Sequence, residues 1–150
     1  MLAQRPLSAD LDAKVASFAR SCAQDPDIAA LYLFGSRARG SAGARSDVDL
    51  AVVLRHDLDP AQRWQKRLEL LARATEVLGT DAVDMLVMED VPSVVAHRVL
   101  RDGRLLCDAD PRRRTDVAED VMRRYLDEEH LRKELDRGLA ARLREDRFAR

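Results

Sequence analysis

The sequence FGSRARGSAGARSDVDLAVV, residues 34–53, joins two apolar runs through a polar segment rich in glycine, serine and arginine. The first run ends at Ser36, and after ten further residues the second begins with Asp47 and Asp49. Carboxylates are poor strand formers and are costly to bury without a partner. The segment therefore predicts two strands whose ends carry a functional site.

The carboxylates of this segment are spaced for metal binding. Alternate residues of a strand face the same side, so Asp47 and Asp49 are expected to project together, about 6–7 Å apart. They repel each other, and a divalent cation with oxygen ligands removes that conflict. A third carboxylate, Asp84, lies inside the apolar run Ala82–Met88. If the two strands are neighbours, the three carboxylates fit a site for two Mg²⁺ ions and in-line phosphoryl chemistry.

The residues before the carboxylates favour phosphate binding. Gly35 lets the backbone approach a phosphate closely, and Ser36 offers a hydroxyl and an N–H at the start of a short helix. Arg37 and Arg39 add positive charge, although solvated loop arginines are the ordinary alternative. The predicted reaction is attack by a hydroxyl on the α-phosphate of a bound nucleotide, with pyrophosphate leaving and Asp84 accepting the proton.

Composition narrows the class of protein. The chain has 150 residues, a formal net charge of -1, 46% apolar residues and 35% charged residues. This balance is typical of a soluble globular domain and argues against nucleic acid or an anionic membrane as the main partner. The absence of a membrane-length apolar run, of a signal peptide and of paired cysteines predicts a cytoplasmic protein with reduced thiols.

The order of helical and extended patterns predicts an α/β or α+β domain. A boundary at Asp108–Pro111 separates residues 1–110 from a helical tail, 111–150. In the helix after Asp59, five residues are expected on one face: Trp64, Leu68, Leu71, Thr75 and Leu78. The predicted elements are a helix capped by Ser8, strand Ile28–Phe34, a loop or short helix Gly35–Ser46, strand Asp49–Leu54, a helix from Pro60 to about Gly79, strand Ala82–Met88, a helix from Pro92 to about Leu100, edge strand Arg104–Cys107 and a tail helical from Thr115.

The motif resembles a known family. FGSRARG at residues 34–40, followed by SDVDL at 46–50, closely resembles the GS-x10-DxD motif of the polymerase-β-like nucleotidyltransferases, and in particular their minimal nucleotidyltransferase (MNT) group. VDMLV at 83–87 and VLRDGRLL at 99–106 also look like MNT sequence. The resemblance covers about residues 28–107. It implies a small mixed β-sheet flanked by helices, with a C-terminal helical extension.

The resemblance also implies roles and partners. Gly35 and Ser36 would hold the nucleotide phosphates, while Asp47, Asp49 and Asp84 would bind the metal ions. Small members of this family are commonly antitoxins of HEPN-domain toxins in type VII-like toxin–antitoxin systems. The implied activity is Mg²⁺-dependent transfer of AMP from ATP to a tyrosine hydroxyl of the HEPN RNase, which silences it. A hetero-oligomer with that partner is expected.

Chain length independently favours a protein acceptor. Residues 111–150 form one or two helices, too little for an enclosed small-molecule pocket, and their 12 basic and 10 acidic residues make no nucleic-acid arm. The stripe Leu131, Leu135, Leu139 and Leu143 is expected either to pack on the chain's own core or to dock the partner. Two alternatives remain: transfer to a small molecule, for which a homodimer could build the pocket, and an antitoxin that blocks its toxin by binding alone.

Overall fold

A computed structural model of the protein describes residues 7–40, 47–55 and 58–148. The loop predicted to run on to Ser46 lies outside the described residues beyond Gly40. The first helix begins at Leu7, one residue before the predicted cap, Ser8. The elements are α1 Leu7–Ala23, β1 Ile28–Phe34, α2 Gly35–Ala38, β2 Val48–Leu54, α3 Pro60–Leu78, β3 Val83–Val87, α4 Ser93–Asp102, β4 Arg104–Asp108 and α5 Pro111–Phe148.

The four strands form one mixed sheet in the order β3-β2-β1-β4. β1 runs antiparallel to both β2 and β4, whereas β2 and β3 are parallel. A parallel pair needs a long crossover connection, which α3 supplies. The predicted mixed sheet flanked by helices is confirmed.

Helices cover both faces of the sheet. On one face α1 and α3 pack over a core that includes Phe18, Leu50 and Leu70. On the other face α4 and the first turns of α5 pack over a second core that includes Ala51 and Val99. Alternate residues of β2 therefore enter different cores, as the period of two of a strand requires. Cys22 and Cys107 are both free and buried.

The bounds of α3 follow from its caps. The Asp59 carboxylate accepts from the Gln62 N–H, the Gln62 side chain accepts from the Asp59 N–H, and Gly79 ends the helix with φ 66°. Such caps are strong helix signals, and the predicted bounds are confirmed. Only part of the predicted apolar face contacts the core: Leu78 is buried and Leu71 packs against the first core, whereas Trp64 is 58% and Leu68 45% exposed. The other fully buried residues of α3 are Leu70 and Ala74. The fully buried residues are thus centred about 80° around the helix from the predicted face.

The tail is a single helix, α5, of 38 residues. It begins at Pro111, four residues earlier than predicted, because Asp110 caps it through a 3.1 Å bond from the Arg113 N–H. Val117 and Val121 are buried against the second core. Further along, Glu128 accepts a hydrogen bond from the Ser93 hydroxyl of α4.

Beyond these contacts α5 projects from the domain. All four leucines of the predicted stripe are exposed, by 58–64%. The alternative that they pack on the chain's own core is therefore wrong. On a helical projection the stripe lies on the same face of α5 as Val117 and Val121. The apolar face of α5 therefore extends beyond the part of the helix that the domain covers. Within the described ranges, no helix combines the length and apolar character needed to cross a bilayer.

Candidate active site

Asp49 and Asp84 are neighbours across two parallel strands. They are directly paired in the register of β2 with β3. Paired residues of adjacent strands point to the same side of the sheet, with backbones about 4.8 Å apart. Two residues further on, Ala51 and Leu86 both contact the second core, which identifies that side as the one covered by α4 and α5. The structure thus brings Asp84 beside Asp49, on the face that the sequence analysis required.

Asp47 completes the acidic group from the start of β2. It is exposed and directly precedes the strand, whereas the intervening Val48 is buried in the first core. The two-residue period therefore places Asp47 on the same side as Asp49. The three predicted carboxylates are in one region of the molecule.

The pKa of Asp49 reflects its acidic neighbours. Partial burial raises the pKa of Asp49 above its ordinary value, and the nearby charges of Asp84 and Asp47 raise it further. Arg37 and Arg39 act in the opposite direction and lower it. The site therefore concentrates negative charge at Asp49, with two cations as partial compensation.

Gly35 lies against the Asp49 carboxylate. It has φ 71°, a left-handed conformation in which glycine is favoured. A β-carbon at Gly35 would overlap Asp49 Oδ2 and lie 3.1 Å from Asp49 Cγ. A side chain at position 35 would displace a candidate metal ligand. The requirement for glycine thus has a cause within the protein, in addition to the predicted approach to phosphate.

Ser36, Arg37 and Arg39 lie at the turn between β1 and β2. Ser36 and Arg37 belong to the single-turn helix α2, and Arg39 follows it. Arg37 is half-buried and Arg39 is exposed. Both arginines are close enough to Asp49 to affect its pKa, so the structure places them at the acidic group and not in remote solvent.

Two further residues reach this region that the sequence analysis did not identify. Arg67 of α3 places Nη2 3.8 Å from Asp84 Oδ1. Asp102, at the end of α4, has a pKa lowered chiefly by its hydrogen bond from Arg101 and to a smaller extent by Arg39. Arg67 belongs neither to the motif nor to an apolar pattern, whereas Asp102 lies within VLRDGRLL, a stretch to which the resemblance assigned no role.

The donor set suits a hard divalent cation. Carboxylate oxygens are the preferred ligands of Mg²⁺, and the raised pKa of Asp49 shows that its charge lacks full compensation within the protein. Among the residues that the structure describes, no three acidic, histidine or cysteine side chains already stand at metal-ligand spacing. The carboxylates must therefore turn toward a common point to bind an ion.

A comparison with protein families identifies the domain. The family described as polymerase beta, nucleotidyltransferase matches residues 17–112. The chain belongs to this family. The matched range contains every candidate site residue described above, from Gly35 to Asp84, together with all four strands.

Relatives of known character share part of the chain. The protein is 32% identical over 81 residues to the protein adenylyltransferase MntA of Shewanella oneidensis, an alignment that covers 54% of this chain and 55% of that one. The chain spans about half the length of the curated relatives it matches.

Solved structures extend the likeness over more of the fold. A crystal structure of a toxin–antitoxin with AMP-PNP contains a chain 24% identical to this one, with a TM-score of 0.66 over 86% of this chain and 98% of that chain. A second structure, a tri-AMPylated Shewanella oneidensis HEPN toxin in complex with an MNT antitoxin, has 22% identity and a TM-score of 0.60 over 87% of this chain and 96% of that chain. At these identities the likeness establishes the fold.

Proposed function

We propose that this protein is an antitoxin that acts as a protein adenylyltransferase on a HEPN-domain toxin. It transfers AMP from ATP to a tyrosine hydroxyl of the toxin and so silences its RNase activity, in the manner of a type VII-like system. Residues 1–110 form the catalytic domain and residues 111–150 contact the partner. We place the reaction in the cytoplasm, where ATP is available and the free thiols of Cys22 and Cys107 remain reduced.

The observation that carries this proposal is the pairing of Asp49 with Asp84. If Asp84 pointed to the opposite face of the sheet, the three carboxylates could not bind the same metal ions. The family assignment and the named relatives support the same chemistry. ATP is the proposed substrate because a related fold was solved with AMP-PNP.

The chain's own residues have separate roles in the proposed reaction. Gly35 and Ser36 bind the phosphates of ATP, and Arg37 and Arg39 stabilise their charge. The tyrosine oxygen attacks the α-phosphorus, the bond to the bridging oxygen of pyrophosphate breaks, and the tyrosine proton passes to Asp84. The Asp84 side chain is 52% exposed, so a hydroxyl carried by another protein can reach it.

Asp47, Asp49 and Asp84 are the proposed ligands of two Mg²⁺ ions. When bound, Mg²⁺ neutralises charge that develops on the phosphates during the transfer. Without the ions, the charges of Asp84 and Asp47 disfavour ionisation of Asp49, and ion binding would relieve this effect.

We further propose that the leucine stripe, Leu131, Leu135, Leu139 and Leu143, docks the HEPN partner. The stripe extends the buried face of α5 beyond the domain, and its residues are exposed by 58–64%. An amphipathic helix of this kind is a common recognition element for a hydrophobic groove. Docking there would keep the toxin bound to α5 while its tyrosine hydroxyl reaches the carboxylates of Asp47, Asp49 and Asp84.

Incubation with labelled ATP, Mg²⁺ and the product of the neighbouring open reading frame tests the function. We expect the partner to gain the mass of AMP, and the double variant Asp47→Ala/Asp49→Ala to abolish this gain. The matched control is Asp10→Ala/Asp12→Ala, which removes another Asp-x-Asp segment of the chain, on the exposed side of α1. That control should transfer AMP normally.

Either of two outcomes would contradict the proposed function and support an alternative function. Neutralisation of the toxin that survives Asp47→Ala/Asp49→Ala, with no change of mass, would leave an antitoxin that acts by binding. Modification of a small acceptor in the absence of any partner would instead assign the protein to the nucleotidyltransferases of small molecules.

A further inference from the structure

Arg67 connects α3 to the strand that carries Asp84. α3 packs beneath the sheet, yet the Arg67 side chain reaches around the edge strand β3. Its Nε donates a 2.6 Å hydrogen bond to the Met85 carbonyl. Because β3 is the edge of the described sheet, part of its backbone has no strand partner, and Arg67 satisfies one such carbonyl. The guanidinium is thus anchored one residue from Asp84.

The same side chain is held from a second direction by Trp64. Arg67 Cζ lies 5.3 Å from the centroid of the Trp64 ring, one turn earlier on α3. This is within the range of a cation–π contact. The N–H donors of a guanidinium have fixed directions in one plane. The hydrogen bond to the Met85 carbonyl and the contact with the Trp64 ring therefore restrict the orientation of this group. Arg67 is therefore a rigid cation and not a solvated surface charge.

Asp84 is otherwise weakly restrained. Its side chain is 52% exposed, and it faces the like charge of Asp49 across the parallel strands. Repulsion favours rotation of Asp84 away from the site when no cation is present. Arg67 Nη2, 3.8 Å from Asp84 Oδ1, attracts the carboxylate from a fixed position at the outer edge of β3 and so limits the directions in which it turns. At that separation the pair is loose enough for Asp84 to remain available to another ligand.

We propose that Arg67 is a positioning residue for Asp84: anchored on the Met85 carbonyl at the outer edge of β3, it limits the conformations of the Asp84 carboxylate, which lies one strand from Asp49 and would bind metal and accept the acceptor's proton. This inference rests on the proposed function, which it deepens by assigning a residue outside the motif. A residue that only linked α3 to β3 would stabilise the fold without affecting the site, so a change at the site distinguishes the proposed role of Arg67 from a structural one.

The chain offers a matched control one turn away. Arg63 of α3 also bonds a backbone carbonyl and a carboxylate, with Nη1 2.8 Å from the Leu58 oxygen and Nε 2.8 Å from Asp90 Oδ1. Asp90 lies beyond the end of β3, away from the carboxylate group. Arg63→Met thus removes the same types of contact as Arg67→Met, at the same helix, without touching Asp84.

The first measurement is the affinity for Mn²⁺, titrated alone and with ATP and followed by electron paramagnetic resonance. We expect Arg67→Met to weaken Mn²⁺ binding about 10-fold and to lower kcat for AMP transfer by about 10- to 100-fold, with KM for ATP little changed. Arg67→Lys keeps the positive charge but lacks the forked donors of the guanidinium, and it should retain part of the Mn²⁺ affinity and part of the kcat that Arg67→Met loses. Arg63→Met should leave Mn²⁺ affinity and kcat at their original values.

A double-mutant cycle separates positioning from folding. In an Asp84→Asn background, Arg67→Met should cause no further loss of Mn²⁺ affinity, because the side chain that it positions has already been altered. Equal Mn²⁺ affinities for the original protein and Arg67→Met would overturn the proposal, as would a loss of the same size in the Asp84→Asn background. If neither Arg67→Met nor Asp47→Ala/Asp49→Ala alters AMP transfer, the proposed function itself fails.

Discussion

The backbone of Gly35 lies against the carboxylate of Asp49. The turn that ends β1 and the strand that carries two of the three carboxylates are therefore fitted to each other directly, before any ligand binds. This contact ties the candidate phosphate-binding turn to the candidate metal ligands. Because of this contact, even a single methyl group added at Gly35 would disturb the turn.

Gly35→Ala should lower AMP transfer by about 100-fold, since the added methyl displaces Asp49 and a shift of about 1 Å at a reacting group costs that much. The control is Gly40→Ala. Gly40 also has a positive φ, 72°, but a β-carbon there meets nothing within 4 Å. Gly40→Ala thus introduces the same backbone strain without the collision. Equal kcat values for the two variants would show that strain, and not Asp49, explains the glycine.

Asp49→Asn should abolish AMP transfer yet stabilise the metal-free protein. The pKa of Asp49 is raised by burial and by Asp84 and Asp47, so its ionised form is disfavoured in the fold. Removing that charge should raise Tm by on the order of 2 °C in EDTA at pH 7. Asp12→Asn, at an exposed position of α1, is the control and should leave Tm unchanged. A lower Tm for Asp49→Asn would contradict the electrostatic account.

Glu89 should make the stability of the fold depend on pH. Burial raises the pKa of Glu89 from 4.5 to about 7, against the opposing effects of the Leu54 N–H and Arg113. The folded state therefore binds a proton that the unfolded state releases at lower pH. This stabilisation is fully present below pH 4.5 and is lost as the pH rises through about 7, a change of about 3 kcal/mol.

Glu89→Gln keeps an acceptor for the Leu54 N–H but cannot ionise. Its free energy of unfolding, measured by urea titration between pH 5 and 8, should lack this decline and exceed that of the original protein at pH 8. Glu76→Gln, at an exposed position of α3, should leave the decline in place. An unaltered pH profile for Glu89→Gln would rule out this carboxyl as its cause.

Leu135→Glu/Leu139→Glu should weaken binding to the proposed HEPN partner by about 100-fold, because two charges would replace leucines that the proposed docking would bury. Tm should not change, since both leucines are exposed in this chain. The matched control is Met122→Glu/Leu126→Glu, a pair with the same spacing on the opposite side of α5. Calorimetric titration of the partner distinguishes them. Similar affinities for the two double variants would place the docking surface elsewhere.

Much of the fold was predictable because local chemistry decides it. The Asp59, Pro60 and Gly79 signals bounded α3 correctly, since caps act on the helix's own backbone. The apolar run Ile28–Phe34 is a strand of the same bounds. The apolar face predicted for α3 contacts the core only in part, because Leu78 and Leu71 face the sheet whereas Trp64 lies where the sheet does not reach. The same limit applies to the leucine stripe, which no surface of the described domain covers.

The sequence by itself determined the family motif, the alternation of strands and helices, and the presence of three carboxylates in apolar surroundings. These depend on residue type and spacing along the chain. Only the tertiary structure decided that Asp84 is paired with Asp49, that Asp49 lies against Gly35, and that Arg67 reaches Asp84. The reason is physical: each of these contacts joins residues from different elements, and their distance depends on strand register and helix packing, which spacing along one chain does not specify.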